Sequence, residues 1–180
     1  MENILDFSKT LLKQHINENS ITADFTCGNG NDTVFLGMNS KRVYAFDLQK
    51  EATDCTKSLL EKNNISNVTV INDGHENLDK YINEEIDAGI FNLGYLPTGD
   101  RSITTNFATT KLAVTKALDK LKVGGVLVIV VYQGHKQGYA ESEELLEFAK
   151  KLHSGKYTVL QYNFINKKLP PYIIAIMRQK

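Results

Sequence analysis

The sequence predicts an α/β fold of the Rossmann-like kind, in which a mostly parallel, seven-stranded sheet ends in an antiparallel hairpin. Short β-branched runs alternate along the chain with longer segments of helical periodicity, the pattern of repeated strand–helix–strand units. The run "VGGVLVIVVY" (123–132) is almost wholly apolar, as expected of a central strand covered on both faces. Two strand-like runs follow with no room for a helix between them, so they should pair as an antiparallel hairpin.

Each element is predicted from its own stretch of sequence. The first helix has five apolar residues at helical spacing, namely Ile4, Leu5, Leu11, Leu12 and Ile16. Strands are predicted at 21–26, 43–48, 68–72, 86–92 and 125–132, and helices at 2–18, 31–38, 51–63, 76–84, 105–121 and 140–153. Pro170 and Pro171 stand where the last strand begins, a position that needs no backbone donor. The length of 180 residues is that of one domain, so we expect residues 1–180 to form a single domain.

Composition narrows the class of protein. The apolar share of 42% and the charged share of 23% are ordinary for a globular protein, and no apolar run approaches the ~18 residues of a membrane span. The N-terminal stretch lacks the basic start and apolar core of a signal peptide, which favours a cytoplasmic protein. Two cysteines, Cys27 and Cys55, fit neither a disulfide framework nor a zinc site, so we expect plain thiols and no metal.

The charge balance limits how the chain can bind nucleic acid. The formal net charge is zero, so there is no overall positive field of the kind found in proteins that coat nucleic acid. Any such binding must use local patches. The candidate basic residues are Arg101 in a mid-chain loop, the pair Lys167 and Lys168, and Lys150, Lys151 and Lys156.

The stretch "ITADFTCGNGNDTVFLG" (21–37) places a glycine turn directly after the first strand. In an open α/β sheet, ligands bind outside the carboxyl ends of the strands where the strand order reverses, and this turn flanks that crevice. A dinucleotide fingerprint, G-x-G-x-x-G, needs a third glycine where this chain has Thr33. Gly28 and Gly30 let the backbone approach a ligand closely, and Asn31 is expected to cap the following helix.

Acidic residues on both sides of the turn argue against a pyrophosphate ligand. Asp24 lies just before the turn and Asp32 just after it. Carboxylates there repel a phosphate but attract a ligand that carries an ammonium and a sulfonium group, and S-adenosylmethionine is such a ligand. The structural alternative is a plain strand-to-helix turn with polar caps.

Two more acids follow the next two strands. Asp47 in "VYAFDLQ" lies nearly 20 residues beyond the first turn glycine, the spacing at which an acid reaches ribose hydroxyls. Asp73 in "VINDGHENL" stands where a carboxylate can accept from an adenine amino group, although a lone strand-end Asp is often a helix cap. The residues expected to bind the cofactor are Asp24, Thr26, Gly28, Asn29, Gly30, Asn31, Asp32, Asp47, Gln49, Asp73, Gly74 and His75.

The fourth strand ends in a segment with the chemistry of amine transfer. Asn92-Leu93-Gly94-Tyr95 resembles the Asn-Pro-Pro-Tyr motif of amino-group methyltransferases, although both prolines are absent. The Asn92 side-chain oxygen and the Leu93 carbonyl can orient an amine nucleophile without the full negative charge that stabilises ammonium, and Tyr95 can stack on its ring. We therefore expect Asn92 and Tyr95 to be catalytic. Ordinary turn chemistry before a proline is the alternative.

A glycine-rich loop follows the central strand and should border the same crevice. In "YQGHKQGYAESEEL" (132–145), His135 is placed to contact a phosphate or a base. The residues expected to contact substrate or RNA are Leu93, Arg101, Tyr132, Gly134, His135, Lys167 and Lys168.

The predicted layout, five parallel strands followed by an antiparallel pair, resembles class I S-adenosylmethionine-dependent methyltransferases. Taken together, "DFTCGNGNDT", "NDGHENL", "FNLGYLPTGD" and "YQGHKQGYAE" resemble a small bacterial methyltransferase family once labelled rRNA methylases, and the resemblance spans nearly the whole chain. It implies the activity of the tRNA 5-(aminomethyl)-2-thiouridine methyltransferases, which methylate the exocyclic amine of the wobble uridine. The residues alone indicate only methylation of an amine.

The resemblance also implies partners, namely the tRNA anticodon stem-loop and a second copy of the chain in a homodimer. A minimal catalytic fold with zero net charge has little surface with which to grip tRNA, which also favours pairing. Other substrates, rRNA or a small-molecule amine, remain open. From another class, the alternative is a nucleotide-binding oxidoreductase or sensor module, against which Thr33 and the terminal hairpin count.

Overall fold

Seven strands form one sheet in the computed structural model, which describes residues 1–93, 107–133 and 136–180, with the backbone alone for 136–141. The strands are β1 (Ile21–Asp24), β2 (Arg42–Asp47), β3 (Val68–Asn72), β4 (Ile86–Leu93), β5 (Leu121–Val131), β6 (Tyr157–Tyr162) and β7 (Tyr172–Arg178). The α-helices are α1 (Ile4–Lys13), α2 (Asn31–Asn39), α3 (Lys50–Lys62), α4 (Phe107–Lys120) and α5 (Lys136–Lys150), and a 3₁₀ helix spans His75–Lys80.

The strand order is β3-β2-β1-β4-β5-β7-β6. Strands β1 to β5 pair in parallel, whereas β7 pairs antiparallel with both β5 and β6. The prediction of a Rossmann-like sheet with a C-terminal antiparallel hairpin is therefore confirmed. Strand β5 is buried on both faces: Val126, Val128 and Val130 join one apolar cluster, and Leu127 and Ile129 join the other.

Several predicted boundaries are wrong, among them the start of β5, which is Leu121 rather than 125, and the start of α5, which is Lys136 rather than 140. The helix predicted at 76–84 is the shorter 3₁₀ helix at His75–Lys80, where the Asn77 N–H donates to the Gly74 carbonyl and the Tyr81 N–H to the Leu78 carbonyl, each three residues back. Helix α1 stops at Lys13 rather than residue 18, since Asn17 and Ser20 form their own polar turn. Strand β1 stops at Asp24 rather than residue 26.

The end of β1 opens the crevice of the sheet. Strand β1 lies between β2 and β4, and the strand order reverses at this point, which is where α/β sheets bind ligands. After β1 the backbone bonds first to β4 and then to β2. The Phe25 N–H donates to the Ile90 carbonyl at 2.9 Å, and the Cys27 N–H donates to the Phe46 carbonyl at 2.8 Å. The turn that follows is therefore anchored to both adjacent strands.

Gly30 closes this turn against α3. Its φ of +84° lies in the left-handed region, and a Cβ at this position would stand 3.0 Å from the Thr56 Cα. The Thr56 hydroxyl also donates to the Gly28 carbonyl at 3.1 Å. Conformation and packing therefore both require glycine here.

We expect Gly30→Ala to destabilise the fold more than Gly124→Ala. Gly124 has nearly the same φ, +82°, but nothing lies within 4 Å of a Cβ placed there. Gly124→Ala should therefore cost only the backbone strain, about 1–2 kcal/mol. Gly30→Ala should cost about 1–3 kcal/mol more, because the contact with Thr56 is added. Urea unfolding of both variants measures the difference, and equal losses would show that the contact is easily relieved.

Candidate functional site

The backbone amides of the two turn glycines are already engaged within the protein. The Gly28 N–H donates to Asp47 Oδ2 at 2.9 Å, and the Gly30 N–H donates to the Cys27 carbonyl at 2.7 Å. In a dinucleotide site, amides of this turn must face a pyrophosphate. The amides of Gly28 and Gly30 are therefore not free to bind a phosphate.

Asp24 lies beneath the turn with none of its surface exposed. Its Oδ2 accepts from the Thr33 hydroxyl at 2.6 Å, and its Oδ1 accepts from the Thr26 N–H at 3.1 Å. Burial, reinforced by the charge of Asp32, raises the pKa of Asp24 to about 7. Thr33 occupies the position of the third fingerprint glycine, so the residue that breaks the dinucleotide motif is the one that holds this carboxylate.

The crevice carries excess negative charge. Asp32 and Asp47 both raise the pKa of Asp24, and burial followed by the charges of Asp24 and Asp47 raises the pKa of the Cys27 thiol. Both cysteines are free thiols, as predicted. A cationic ligand would relieve the repulsion among the carboxylates, whereas an anionic ligand would increase it.

The residues expected to bind a cofactor lie at and just beyond the carboxyl ends of β1, β2 and β3. One prediction about them needs correction. The prediction that Asn31 caps α2 is wrong: Gly30 is the N-cap residue with no side-chain cap bond, and Asn31 is the first helical residue. Asn29 and Asn31 are exposed at the turn. The correction has a physical reason, since the left-handed conformation of Gly30 already turns the chain into the helix.

Asp47 ties the end of β2 to the glycine turn. Besides accepting from Gly28, it accepts from the Gln49 N–H through Oδ1 at 3.0 Å. Gln49 is buried and stands at the N-cap of α3, so its expected contact with a cofactor requires its side chain to reach out from that position. Each Asp47 oxygen keeps one acceptor site free for a hydroxyl donor.

Asp73 is held in its own turn and remains ionised. Hydrogen bonds from Asn77, Tyr81 and the Gly74 N–H lower the pKa of Asp73 despite the opposing effect of burial. The Tyr81 hydroxyl lies 2.9 Å from Oδ2, and Lys80 Nζ lies 3.7 Å from the same atom. The capping function that sequence left open for Asp73 is therefore present in the structure.

His75 presents an acceptor with no partner. Its Nδ1 lies 3.2 Å from the Phe25 carbonyl, which can only accept, so Nδ1 carries the proton. Burial lowers the pKa of His75 and keeps the ring neutral. Among the described residues, its Nε2 is the buried side-chain nitrogen or oxygen that lacks a hydrogen-bond partner.

Asn92 is fixed at the end of β4 by two contacts. Its backbone N–H donates to the Thr26 hydroxyl oxygen at 2.7 Å, and its side-chain Nδ2 donates to Asp32 Oδ2 at 3.3 Å. The other Asp32 oxygen lies 3.8 Å from Lys9 Nζ. Because a carboxylate only accepts, the Asn92 NH₂ group faces Asp32, and its oxygen Oδ1 accepts from none of the residues in 1–93, 107–133 and 136–180. Leu93 is buried, so only its backbone can contact a substrate.

Some expected residues fall outside this description. Tyr95, Arg101, Gly134 and His135 lie outside the described residues. Tyr132, Lys167 and Lys168 are exposed. Tyr132 is nevertheless partly buried, and this burial, followed by the charge of the nearby Asp32, raises the pKa of its hydroxyl. Within the described ranges, no three His, Cys, Asp or Glu side chains are grouped to hold a metal ion. Nor is any helix in those ranges long and apolar enough to cross a membrane.

Three contributors were not identified from sequence. Lys9 reaches Asp32 from α1, Thr33 holds Asp24, and Thr56 packs against Gly30. Only Thr33 had a local signal, as the missing third glycine. The other two act across the fold, and no sequence pattern joins them to the turn.

Comparison with known proteins gives consistent results. A family model described as "Putative rRNA methylase" matches residues 43–178. The chloroplastic "tRNA (mnm(5)s(2)U34)-methyltransferase" of Arabidopsis thaliana is 33% identical over an alignment of 183 residues. The alignment covers 93% of this chain and 66% of the Arabidopsis protein. A solved structure described as "a putative methyltransferase from streptococcus mutans in complex with SAH" is 43% identical, with a TM-score of 0.94 and 99% of both chains covered. A "putative rRNA-methylase" from Clostridium thermocellum is 41% identical, with a TM-score of 0.96 and 99% and 98% covered.

Asp24→Asn is expected to change how stability depends on pH. The pKa of Asp24 is about 7 in the folded chain against an ordinary 3.8, so between these values the folded state holds a proton that the unfolded state has released. The wild-type free energy of unfolding should therefore fall as pH rises from about 4 to 7, by at most about 4 kcal/mol, and the variant should lack this component.

Urea unfolding at pH 5 and pH 8 measures this component. Asp119→Asn, which changes an exposed acid on α4, should follow the wild type. Parallel changes in wild type and Asp24→Asn would mean that Asp24 is ionised across the whole range.

Proposed function

Because the chain belongs to this rRNA methylase family, we propose that it is an RNA methyltransferase whose substrate is the exocyclic amine of 5-aminomethyl-2-thiouridine at the tRNA wobble position. Family membership supports S-adenosylmethionine-dependent methylation of RNA. The name of the Arabidopsis relative, 33% identical, supports the finer assignment. The observation that carries it is the orientation of Asn92, whose NH₂ group donates to Asp32 so that its amide oxygen points away from that carboxylate.

S-adenosylmethionine is the cofactor, in keeping with the SAH complex of the Streptococcus mutans relative. When bound, it supplies an electrophilic methyl group on a positively charged sulfur. The crevice fits this group, because its carboxylates repel one another and the amides of Gly28 and Gly30 are already hydrogen-bonded. We propose that the ribose hydroxyls reach Asp47, that the adenine amino group reaches Asp73, and that the cationic end lies toward Asp24 and Asp32.

We expect the chain to bind S-adenosylmethionine in preference to NAD, since the crevice favours cations. Asp47→Ala removes both a carboxylate and the acceptor for the Gly28 N–H, and should weaken S-adenosylmethionine binding at least about tenfold. Isothermal titration calorimetry measures both affinities. Asp119→Ala is the matched control and should bind like the wild type. Tighter binding of NAD, or unchanged binding by Asp47→Ala, would contradict the assignment.

The proposed nucleophile explains why neutral acceptors line the end of β4. A simple alkyl amine has a pKa near the lysine value of about 10.4, so in water it is mostly protonated and cannot attack. The Asn92 amide oxygen and the Leu93 carbonyl can accept from its N–H groups without the full charge that would hold the ammonium form. Asp32 acts on Asn92 rather than on the amine, because its carboxylate is engaged by Asn92 and Lys9.

Replacement of Asn92 should impair turnover rather than cofactor binding. Asn92→Ala removes the free acceptor and should lower kcat about 100-fold, with an affinity for S-adenosylmethionine close to that of the wild type. Asp32→Ala leaves the Asn92 amide free to rotate and should lower kcat about tenfold. In the wild type, kcat should rise with pH as the free amine becomes available. Single-turnover methyl transfer to tRNA bearing aminomethyl-uridine measures these rates.

The control and the product decide this prediction. Asn19→Ala changes an exposed asparagine just before the amino end of β1, the end opposite the crevice, and should be fully active. Labelled S-adenosylmethionine and total RNA from cells lacking the gene, followed by mass analysis of nucleosides, identifies the methylated atom. A methyl group on a ring carbon or a ribose oxygen, or wild-type rates for Asn92→Ala, would overturn the amine assignment.

We propose that the chain works as one domain, that its RNA ligand is the anticodon stem-loop, and that it forms a homodimer. The formal net charge of the chain is zero, so two copies side by side would offer RNA a wider basic surface. Light scattering at assay concentrations should therefore give twice the mass of the chain. A monomer with full activity would refute the dimer and leave the reaction unaffected.

A further inference from the structure

A groove of about 380 Å³ lies beside the crevice, between the start of α1 and the connection from β6 to β7. Among the residues that line it are Ile4, Leu5, Tyr132, Phe164, Lys167 and Pro171. Its volume is within the range of about 300–1,000 Å³ that is typical of sites for small organic groups. Neither the cofactor site nor the amine-binding segment uses it.

Long-range contacts hold the walls of the groove. The Tyr162 hydroxyl donates to the Glu2 carbonyl at 2.8 Å, and the Tyr162 and Phe7 rings pack with centroids 4.1 Å apart. On the other side, Gln133 Nε2 donates to the Pro170 carbonyl at 2.8 Å. The β6–β7 connection is therefore fastened both to α1 and to the end of β5.

The lining of the groove matches the chemistry of a nucleotide. Phe164, Tyr132 and Pro171 offer flat apolar surfaces on which a base can stack, and Lys167 Nζ stands 4.8 Å from the centre of the Phe164 ring. A phosphate attached to a stacked base would meet this ammonium group. The described residues that line the groove include no acid that would repel it.

The groove is adjacent to the proposed reaction centre. Tyr132 directly follows Val131, which pairs with Leu93 at the end of β4. Tyr132 also lies within electrostatic reach of Asp32, and Asp32 accepts from Asn92 at 3.3 Å. The groove and the amine-binding segment therefore both lie at the carboxyl ends of the parallel strands β4 and β5.

We propose that this groove binds the base of a nucleotide that flanks the methylated nucleotide in the substrate RNA, with Lys167 on the intervening phosphate. The inference rests on the proposed function and adds a second point of contact with RNA. A single-stranded loop can present adjacent bases unstacked, which is how proteins read RNA outside double helices. The groove makes the enzyme selective for an RNA loop over a free nucleoside with the same amine.

The test uses an RNA hairpin with the target nucleotide in its loop, made intact or with an abasic site on one or the other side of the target. Fluorescence anisotropy measures binding, and kcat/KM measures methyl transfer. For the wild type, one abasic position should weaken binding about tenfold, the size expected of one base–aromatic stack. Phe164→Ala should bind the intact hairpin about tenfold more weakly and lose its sensitivity to that position.

Matched variants separate stacking from folding. Phe164→Tyr should restore the sensitivity to the abasic position, and Lys167→Ala should weaken binding with a smaller dependence on salt. Val123→Ala and Lys41→Ala change exposed residues near the amino ends of β5 and β2, away from the groove, and should behave as the wild type. Cofactor affinity should be unchanged in both Phe164 variants, whereas Phe164→Ala alone should lower the urea unfolding midpoint, because the Phe164 ring packs against Tyr162 and the core.

The outcomes distinguish this proposal from the proposed function. If the hairpin is methylated but an abasic site on either side affects wild type and Phe164→Ala equally, the groove proposal is wrong and the reaction stands. If the wild type binds the hairpin with the expected sensitivity but transfers no methyl group to it, the reaction is wrong and the groove stands. Failure to bind any hairpin would overturn both.

Discussion

The buried carboxylate of Asp24 connects the parts of the molecule from which the candidate site is built. It receives the Thr33 hydroxyl from the first turn of α2 and the Thr26 N–H from the turn itself, so a single side chain sets how the helix leaves the strand. Thr26 in turn accepts from the Asn92 backbone. The positions of the turn, of α2 and of the end of β4 therefore all depend on the carboxyl group of Asp24, which is fully buried.

This arrangement has an electrostatic cost, and the cost accounts for the choice of ligand. Burial and the charges of Asp32 and Asp47 raise the pKa of Asp24 to about 7, more than the hydrogen bonds from Thr33 and Thr26 lower it, so its ionised form is disfavoured within the protein alone. A positively charged ligand would compensate these negative charges when it binds. Nucleotide-binding α/β proteins use the same turn in the opposite sense, with free amides that meet phosphate. The same sheet topology can therefore bind ligands of opposite charge, depending on whether the amides of the turn glycines are free or already hydrogen-bonded within the protein.

Sequence analysis predicted the features that depend on local patterns. Alternating apolar runs located the strands, and the identity of the last residue of β1 and of β2 located the acids Asp24 and Asp47. It did not predict what these acids bond to, because Asp47 meets Gly28 across 19 residues and Asn92 meets Asp32 across 60. It also assigned a cap to Asn31 from residue type, whereas the left-handed Gly30 performs the turn. Strand ends follow from patterns, whereas side-chain partners depend on the finished packing.

The bond between Tyr162 and Glu2 joins segments 160 residues apart. Since a ribosome releases the chain from its first residue onward, α1 emerges long before the aromatic side chains that it packs against. Strand β5 likewise has a bare edge until β7 arrives to pair with it. A nascent chain that has already formed the crevice thus still lacks one wall of the neighbouring groove. The order of synthesis separates the crevice, whose strands β1 to β5 come first, from the groove proposed to bind RNA, which is complete only with the last strands.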